Sequence, residues 1–238
     1  MTDNPIAGGV VAALDIGGTM IKGSLTDAGG AQLTTVHIPT PRGEEEIVST
    51  VRGALADLTS TTDALVGVGV AVPGAVDLQA GVARYSANLG WRDLPLTAFT
   101  EGVVKSTVPV VFEHDVRCAG FADLALGATR DIDDACVIVV GTGIAAVSIA
   151  GGSPIRGAQM LAGEIGHLPV VPAGEQCGCG QSGCLEVYAS AAAISRRYET
   201  RTGMSASTDQ VIAAVGYDTA AAEVWNDALR TMGLGCLA

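Results

Sequence analysis

Two stretches of this chain follow one plan. "ALDIGGTMIKGSL" (13–25) and "VIVVGTGIAAVSI" (137–149) each give an apolar strand, a glycine turn carrying threonine, and a second apolar strand. Such a pattern predicts an antiparallel hairpin at each place. A hairpin placed early and repeated midway points to a duplicated architecture of two similar lobes. The echo alone leaves duplication and chance recurrence equally open.

The segments around the hairpins alternate strand and helix. "VVAALDI" (10–16), "LVGVGVAV" (65–72) and "VPVVFE" (108–113) read as buried strands. "EEEIVSTVRGALADL" (44–58) puts Ile47, Val48, Val51, Leu55 and Leu58 on one helical stripe, with acids in its first turn. "DVRCAGFADLALGA" (115–128) predicts a helix, and beyond Glu186 the pattern turns wholly helical. The fold class is therefore α/β. Aromatics are only 4% of the chain while glycines number 32, so the core must come from Ala, Val, Leu and Ile with close backbone approaches.

A net charge of −12 without any Lys/Arg run argues against a nucleic-acid partner. No apolar run approaches the roughly 20 residues that span a bilayer, so no membrane partner is expected. The amino-terminal residues lack a secretory pattern, and the chain reads as cytoplasmic. In that compartment its six cysteines are thiols or metal ligands, not disulfides.

"HLPVVPAGEQCGCGQSGC" (167–184) arranges His167, Cys177, Cys179 and Cys184 as H-x9-C-x-C-x4-C. One imidazole and three thiolates are a tetrahedral zinc set, and the interspersed glycines let the backbone curl round one ion. With four protein donors the site is closed and the zinc structural. Cys118, Cys136 and Cys236 lie in apolar contexts and are expected to be buried and inert. Glu164, His167 and Glu186 flank or join the metal loop, which suits a rigid binding site.

"DIGGT" supplies Asp15 as a possible Mg²⁺ holder, with the N–H groups of Gly17, Gly18 and Thr19 free to converge on phosphate. "GTGIAA" nominally fits a dinucleotide fingerprint, but that motif must open a helix and here a strand follows. Asp115 ends a strand where a helix begins. It is either an N-cap or a carboxylate able to take a hydroxyl proton. Its neighbour His114 is either a sugar contact or a core histidine.

The ordered series "LDIGGTMIKGSL", "VPGAVD", "SANLGWRDLPL", "EHDVRCAGFADLALGA", "VVGTGIAAVSIAGG" and "AGEIGHLPVVPAGEQCGCGQSGCLE" closely resembles the ROK family of sugar kinases and related repressors. The resemblance implies the duplicated two-lobe, actin-like ATPase (ribonuclease H-like) fold, with an N-terminal lobe over 1–114 and a C-terminal lobe over 115–238. It implies transfer of the ATP γ-phosphoryl group to a hexose hydroxyl, glucokinase-like, with Asp115 as general base. An N-acetylmannosamine or other amino-sugar kinase, and a non-catalytic sugar-binding or regulatory protein of the family, are the alternatives. The same resemblance places sugar contacts at Gly74, Asn88, Glu164, His167 and Glu186, and His114 is taken as a further sugar contact. It places nucleotide contacts at Asp15, Gly17, Gly18, Thr19, Lys22, Gly141, Thr142 and Gly143, with Mg²⁺ entering with ATP. It also implies a homodimer. Three departures stand out: His114 where members usually have Asn, Ala145 and Ala146 in place of glycines, and an end at residue 238 where members continue, so that the second lobe is expected to be truncated.

Overall fold

The computed structural model describes residues 8–86 and 89–238. The chain divides into two compact units, one running to Phe121 and including 158–160, the other comprising 122–157 and 161–238. The division falls past the expected boundary at 114/115.

The first unit contains β1 (Val10–Ile16), β2 (Met20–Asp27), β3 (Gln32–Pro39), α1 (Glu44–Thr59) and β4 (Leu65–Val72). A small meander of β5 (Ala75–Asp77), β6 (Val82–Tyr85) and β7 (Arg92–Pro95) follows, then β8 (Val110–His114) and the start of α2 (Asp115–Leu126). The main sheet has the order β3-β2-β1-β4-β8. β1, β2 and β3 pair antiparallel, while β4 lies parallel to β1 and β8 parallel to β4. A parallel neighbour needs a crossover, and α1 supplies it between β3 and β4.

β1 is buried on one face only. Val10, Ala12, Leu14 and Ile16 join the core, whereas Val11, Ala13 and Asp15 turn to the opposite, more open face. The expectation of a buried strand therefore holds for four of its seven residues. α1 buries Ile47, Val51, Ala54, Leu55 and Leu58, and the expected Val48 is only half-buried at the edge of the stripe. Glu44, Glu45 and Glu46 stabilise its first turn against the helix dipole, since the preceding Gly43 has no capping side chain. Gly23 of β2 lies beneath this helix: a Cβ there would sit 2.9 Å from Leu58 Cδ1.

The second unit opens with β9 (Ala135–Val140), β10 (Ile144–Ala150) and β11 (Ser153–Pro154), again an antiparallel meander. Its start therefore repeats the β1–β3 plan. Helices α3 (Glu186–Ala189), α4 (Ala191–Thr202), α5 (Thr208–Ala214) and α6 (Thr219–Leu237) complete it around Ile144, Leu185, Ile194, Val211 and Val224. The helical pattern after Leu185 is broken at Ser190, whose hydroxyl instead accepts the Ala193 N–H and caps α4. Ser207 and Gln210 form a reciprocal capping box on α5, and Asp218 caps α6 through the N–H groups of Ala220 and Ala221.

Three cysteines depart from expectation. Cys118 is half-buried, and Cys136 and Cys236 are exposed. Cys136 lies on β9, an edge strand, and Cys236 in the last turn of α6, so neither position is covered as a core thiol would be. No helix among the described residues is long and apolar enough to cross a membrane.

Candidate phosphoryl-transfer site and metal centre

In the first unit, strand register assembles a polar row. Asp15 pairs with Lys22, Lys22 with His37, Asp15 with Ala71, and Ala71 with Glu113. Asp15, Lys22, His37 and Glu113, with Cys118 of α2, line a cavity of about 500 Å³ on the open face of the sheet. Loss of water around Asp15 and the nearby charge of Asp115 both push its carboxyl above the usual range, while Lys22 draws it down. Burial, then the charges of Glu113, Asp115 and Asp15, push the Cys118 thiol up to about 11, so it is not a nucleophile near neutral pH.

The glycine turn is tighter than expected. Gly17 N–H donates to Met20 O at 3.1 Å, and Gly17 O accepts from the Thr40 hydroxyl at 2.7 Å. A Cβ on Gly17 would lie 2.6 Å from Met20 O, so this residue closes the hairpin. Its N–H is thus committed to the turn, unlike the expectation. Gly141 behaves likewise, donating to Gly143 O at 2.9 Å.

Asp115 is the first residue of α2, and its Oδ1 accepts the N–H of Val116 at 2.7 Å. His114 Nδ1 lies 3.3 Å from the same oxygen. His114 itself is buried, as is Glu113.

Arg117 has a role that its sequence pattern alone does not announce. Its side chain is almost fully buried; Nε donates to Glu113 Oε1 at 2.7 Å and Nη1 to Met160 O at 3.1 Å. Glu113 Oε1 also accepts the His114 N–H at 2.9 Å, so one carboxylate braces the junction from which Asp115 projects. Met160 has φ 58°, a left-handed conformation uncommon outside glycine, and its carbonyl is held by this guanidinium. The Glu-x-x-x-Arg spacing was visible, but not that a strand end and a helix start would fold it into a buried pair. Arg117→Met strands a buried carboxylate and should destabilise the first unit by about 3 kcal/mol in denaturant unfolding. Glu113→Leu in the same chain should restore part of that loss; no recovery would refute the pairing as the cause.

In the second unit, the "GEIGH" turn lies directly on β10. Gly163 has φ 102°, and a Cβ there would come within 1.9 Å of Ala146 O; one on Gly166 would come within 2.2 Å of Ile144 O. Ala146 N–H donates to Gly163 O at 2.7 Å, fixing the register of the turn. Glu164 precedes the short 3-10 turn Ile165–His167 and is half-buried. Glu186 starts α3 and accepts the Ile144 N–H at 2.9 Å, which ties that carboxylate to the second hairpin. Gly143 must be bare for this, because a Cβ there would lie 2.6 Å from Glu186 Oε2. Gly74 (φ 88°) has a packing reason of its own, since a Cβ would sit 2.3 Å from Tyr85 O. Asn88 lies outside the described residues.

His167, Cys177, Cys179 and Cys184 converge, with their donor atoms all within 4.8 Å of one another. His167 Nδ1 to Cys177 Sγ and Cys179 Sγ to Cys184 Sγ are both 3.6 Å. Metal–sulfur bonds of about 2.3 Å in a tetrahedron require donor separations of about 3.8 Å, so four soft donors stand at the spacing of one tetrahedral ion. The Gln181 N–H, with help from the neighbouring thiols, lowers Cys179 to about 7, while burial first and then Cys179 raise Cys184 to about 12. Packing three thiols together is costly for a thiolate unless a cation is shared.

The sequence model of the ROK family matches residues 11–237. The chain belongs to the ROK family. Among curated ROK relatives, the glucokinase of Streptomyces coelicolor is 33% identical over 211 residues, covering 89% of this chain and 66% of the relative. The glucokinase of Halalkalibacterium halodurans is 34% identical over 190 residues, covering 77% and 57%. The chain thus spans less than two thirds of the length of these relatives. Among solved structures, the ROK family glucokinase of Streptomyces griseus, in complex with glucose and AMPPNP, superposes with a TM-score of 0.83 at 30% identity, over 96% of this chain and 78% of that one. The two repeated meanders are those of the actin-like ATPase fold.

Proposed function

We propose that this ROK chain carries out ATP-dependent phosphorylation of a hexose, with glucose as the first candidate. The observation that carries the reading is the placement of Asp115 at a strand–helix junction, near enough to Asp15 for the two charges to interact, in a chain whose fold matches a glucokinase that binds glucose and AMPPNP. Phosphoryl transfer asks a protein mainly for positioning, charge stabilisation and one base for the hydroxyl.

On this reading Asp115 accepts the hydroxyl proton at Oδ2, because Oδ1 is occupied by Val116 N–H and faced by His114. Asp15 offers a hard oxygen to Mg²⁺, whose charge neutralises the phosphates when Mg-ATP is bound. Phosphate oxygens are taken by the N–H groups of Gly18 and Thr19 in the first unit, with Lys22 adjacent to Asp15 in the sheet, and by those of Thr142 and Gly143 in the second. In the second unit Glu164, Glu186 and His167 serve as sugar contacts; in the first unit Gly74 and His114 take that role. Nδ1 of His167 faces the thiols, which leaves Nε2 for a sugar hydroxyl.

The four-donor centre holds zinc, in a structural role, since imidazole and thiolates are its preferred ligands and no protein donor is left out to make room for water. Holding Cys184, it also fixes Leu185 and Glu186, the next residues in the chain. The amino-sugar reading differs from glucose at one carbon substituent. ADP release measured across glucose, mannose and N-acetylmannosamine should be greatest with glucose. Preference for the N-acetyl sugar would move the assignment to an amino-sugar kinase, and no release with any of the three would reject the kinase reading.

A further inference from the structure

The loop bearing the thiols is fastened at one residue that the site itself does not use. Glu175 stands two positions before Cys177 and has a partner for every polar group. Its N–H donates to the Tyr188 hydroxyl at 2.7 Å, and its carbonyl accepts the Gly183 N–H at 2.7 Å. Its carboxylate takes two arginines from α4, Arg196 Nη2 on Oε2 at 2.7 Å and Arg197 Nε on Oε1 at 2.9 Å.

Both arginines are themselves held. Arg196 Nη2 also donates to Val187 O at 2.8 Å. Arg197 lies over the Tyr188 ring at 4.9 Å and reaches Asp227 of α6 at 3.3 Å, with its side chain 12% exposed. An isolated exposed pair contributes little, but a mostly buried guanidinium stacked on an aromatic ring is pre-ordered and weakly screened. Just before Glu175, a Cβ on Gly174 would lie 2.3 Å from the Tyr188 hydroxyl, so the backbone is drawn tight against that ring.

This anchor lies at the base of the hairpin that sets thiol spacing. Gln176 faces Ser182 in a β-bridge, and Cys177 N–H donates to Gln181 O at 2.8 Å. Cys177 follows this base, Cys179 sits in the turn between Gln176 and Ser182, and Cys184 lies just past Ser182.

We propose that the Glu175 carboxylate, clamped by Arg196 and Arg197, is a positioning group that preforms the thiol loop before the metal arrives. The inference rests on the zinc reading above. A preformed loop binds without having to order itself, so releasing the clamp moves that ordering cost into the binding step. The clamp touches no donor atom and acts through backbone register alone.

The test is zinc affinity by chelator competition on the whole chain, for wild type, Glu175→Gln, Glu175→Ala and Arg196→Ala, with hydrogen exchange of amides 175–184 in the metal-free proteins. Glu175→Ala should weaken zinc about tenfold or more, in the range seen when outer partners of metal ligands are removed. It should also speed metal-free exchange across the loop while helix content by circular dichroism stays unchanged. Arg196→Ala, at a side chain half-open to solvent, should have a smaller effect that disappears in the Glu175→Ala background. If Glu175→Ala does not fold, Glu175→Gln and Arg196→Ala decide by the same readouts. Wild-type zinc binding with unchanged affinity and exchange in the variants overturns the clamp and leaves the zinc site standing. Absence of zinc from the wild type removes the zinc reading, and the clamp with it.

Discussion

Asp115→Asn lowers hexose-dependent ADP release by about 10²–10⁴-fold, the usual worth of a positioned general base. The amide keeps the carboxylate's shape and can still accept the Val116 N–H through its oxygen. Local structure should therefore survive, and the loss should fall on turnover with little change in the sugar concentration needed for half-maximal rate. Removing the charge also relieves Asp15, whose carboxyl is pushed up in part by Asp115. Asp15, the proposed Mg²⁺ holder, would then be more fully ionised, which works against any loss of Mg-ATP binding. A drop in turnover thus reports the missing base. Retention of more than a tenth of wild-type turnover, with zinc content and circular dichroism unchanged, would sink the assignment.

Cys184→Ser should be the most damaging change to the second unit. This thiol is fully buried, and Leu185 beside it is a core residue with no exposure. A zinc site contributes its binding energy to folding, so losing one ligand takes away stability as well as metal. We expect zinc retention to fall below stoichiometric levels and the unfolding midpoint to drop by roughly 10 °C or more, since each kcal/mol is about 2–4 °C at this size. Chelation of the wild-type metal should reproduce the shift, and added zinc should reverse it. A serine variant that melts with the wild type would mean that the four donors converge without a metal to hold.

Much of this was legible in residue order because the signals are local. β2 and β4 occupy the stretches read as strands, and the acids at the start of α1 lie where the dipole favours them. The thiol cluster needed only donor type and spacing. What escaped was decided by neighbours remote in the chain. Val48 and Ala54 exchange places on the α1 stripe according to how the helix rolls on the sheet. Gly17 and Gly141 look like phosphate donors in sequence, yet each N–H closes its own turn. Glu186 reads as a sugar ligand, while its first partner is a backbone N–H of the second hairpin, 42 positions away.

The sequence by itself determined the repeated strand–glycine–strand plan, the helical tail and the His/Cys donor cluster, since each follows from periodicity, turn chemistry or ligand chemistry within a few residues. Tertiary structure alone decided which faces are open, that Arg117 would brace both the Asp115 junction and Met160, and that Glu175 would be gripped from α4. Those outcomes depend on strand order and on helices meeting across long sequence separations. No local pattern encodes such meetings, because the stabilisation comes from burying and pairing groups that only the folded chain brings together.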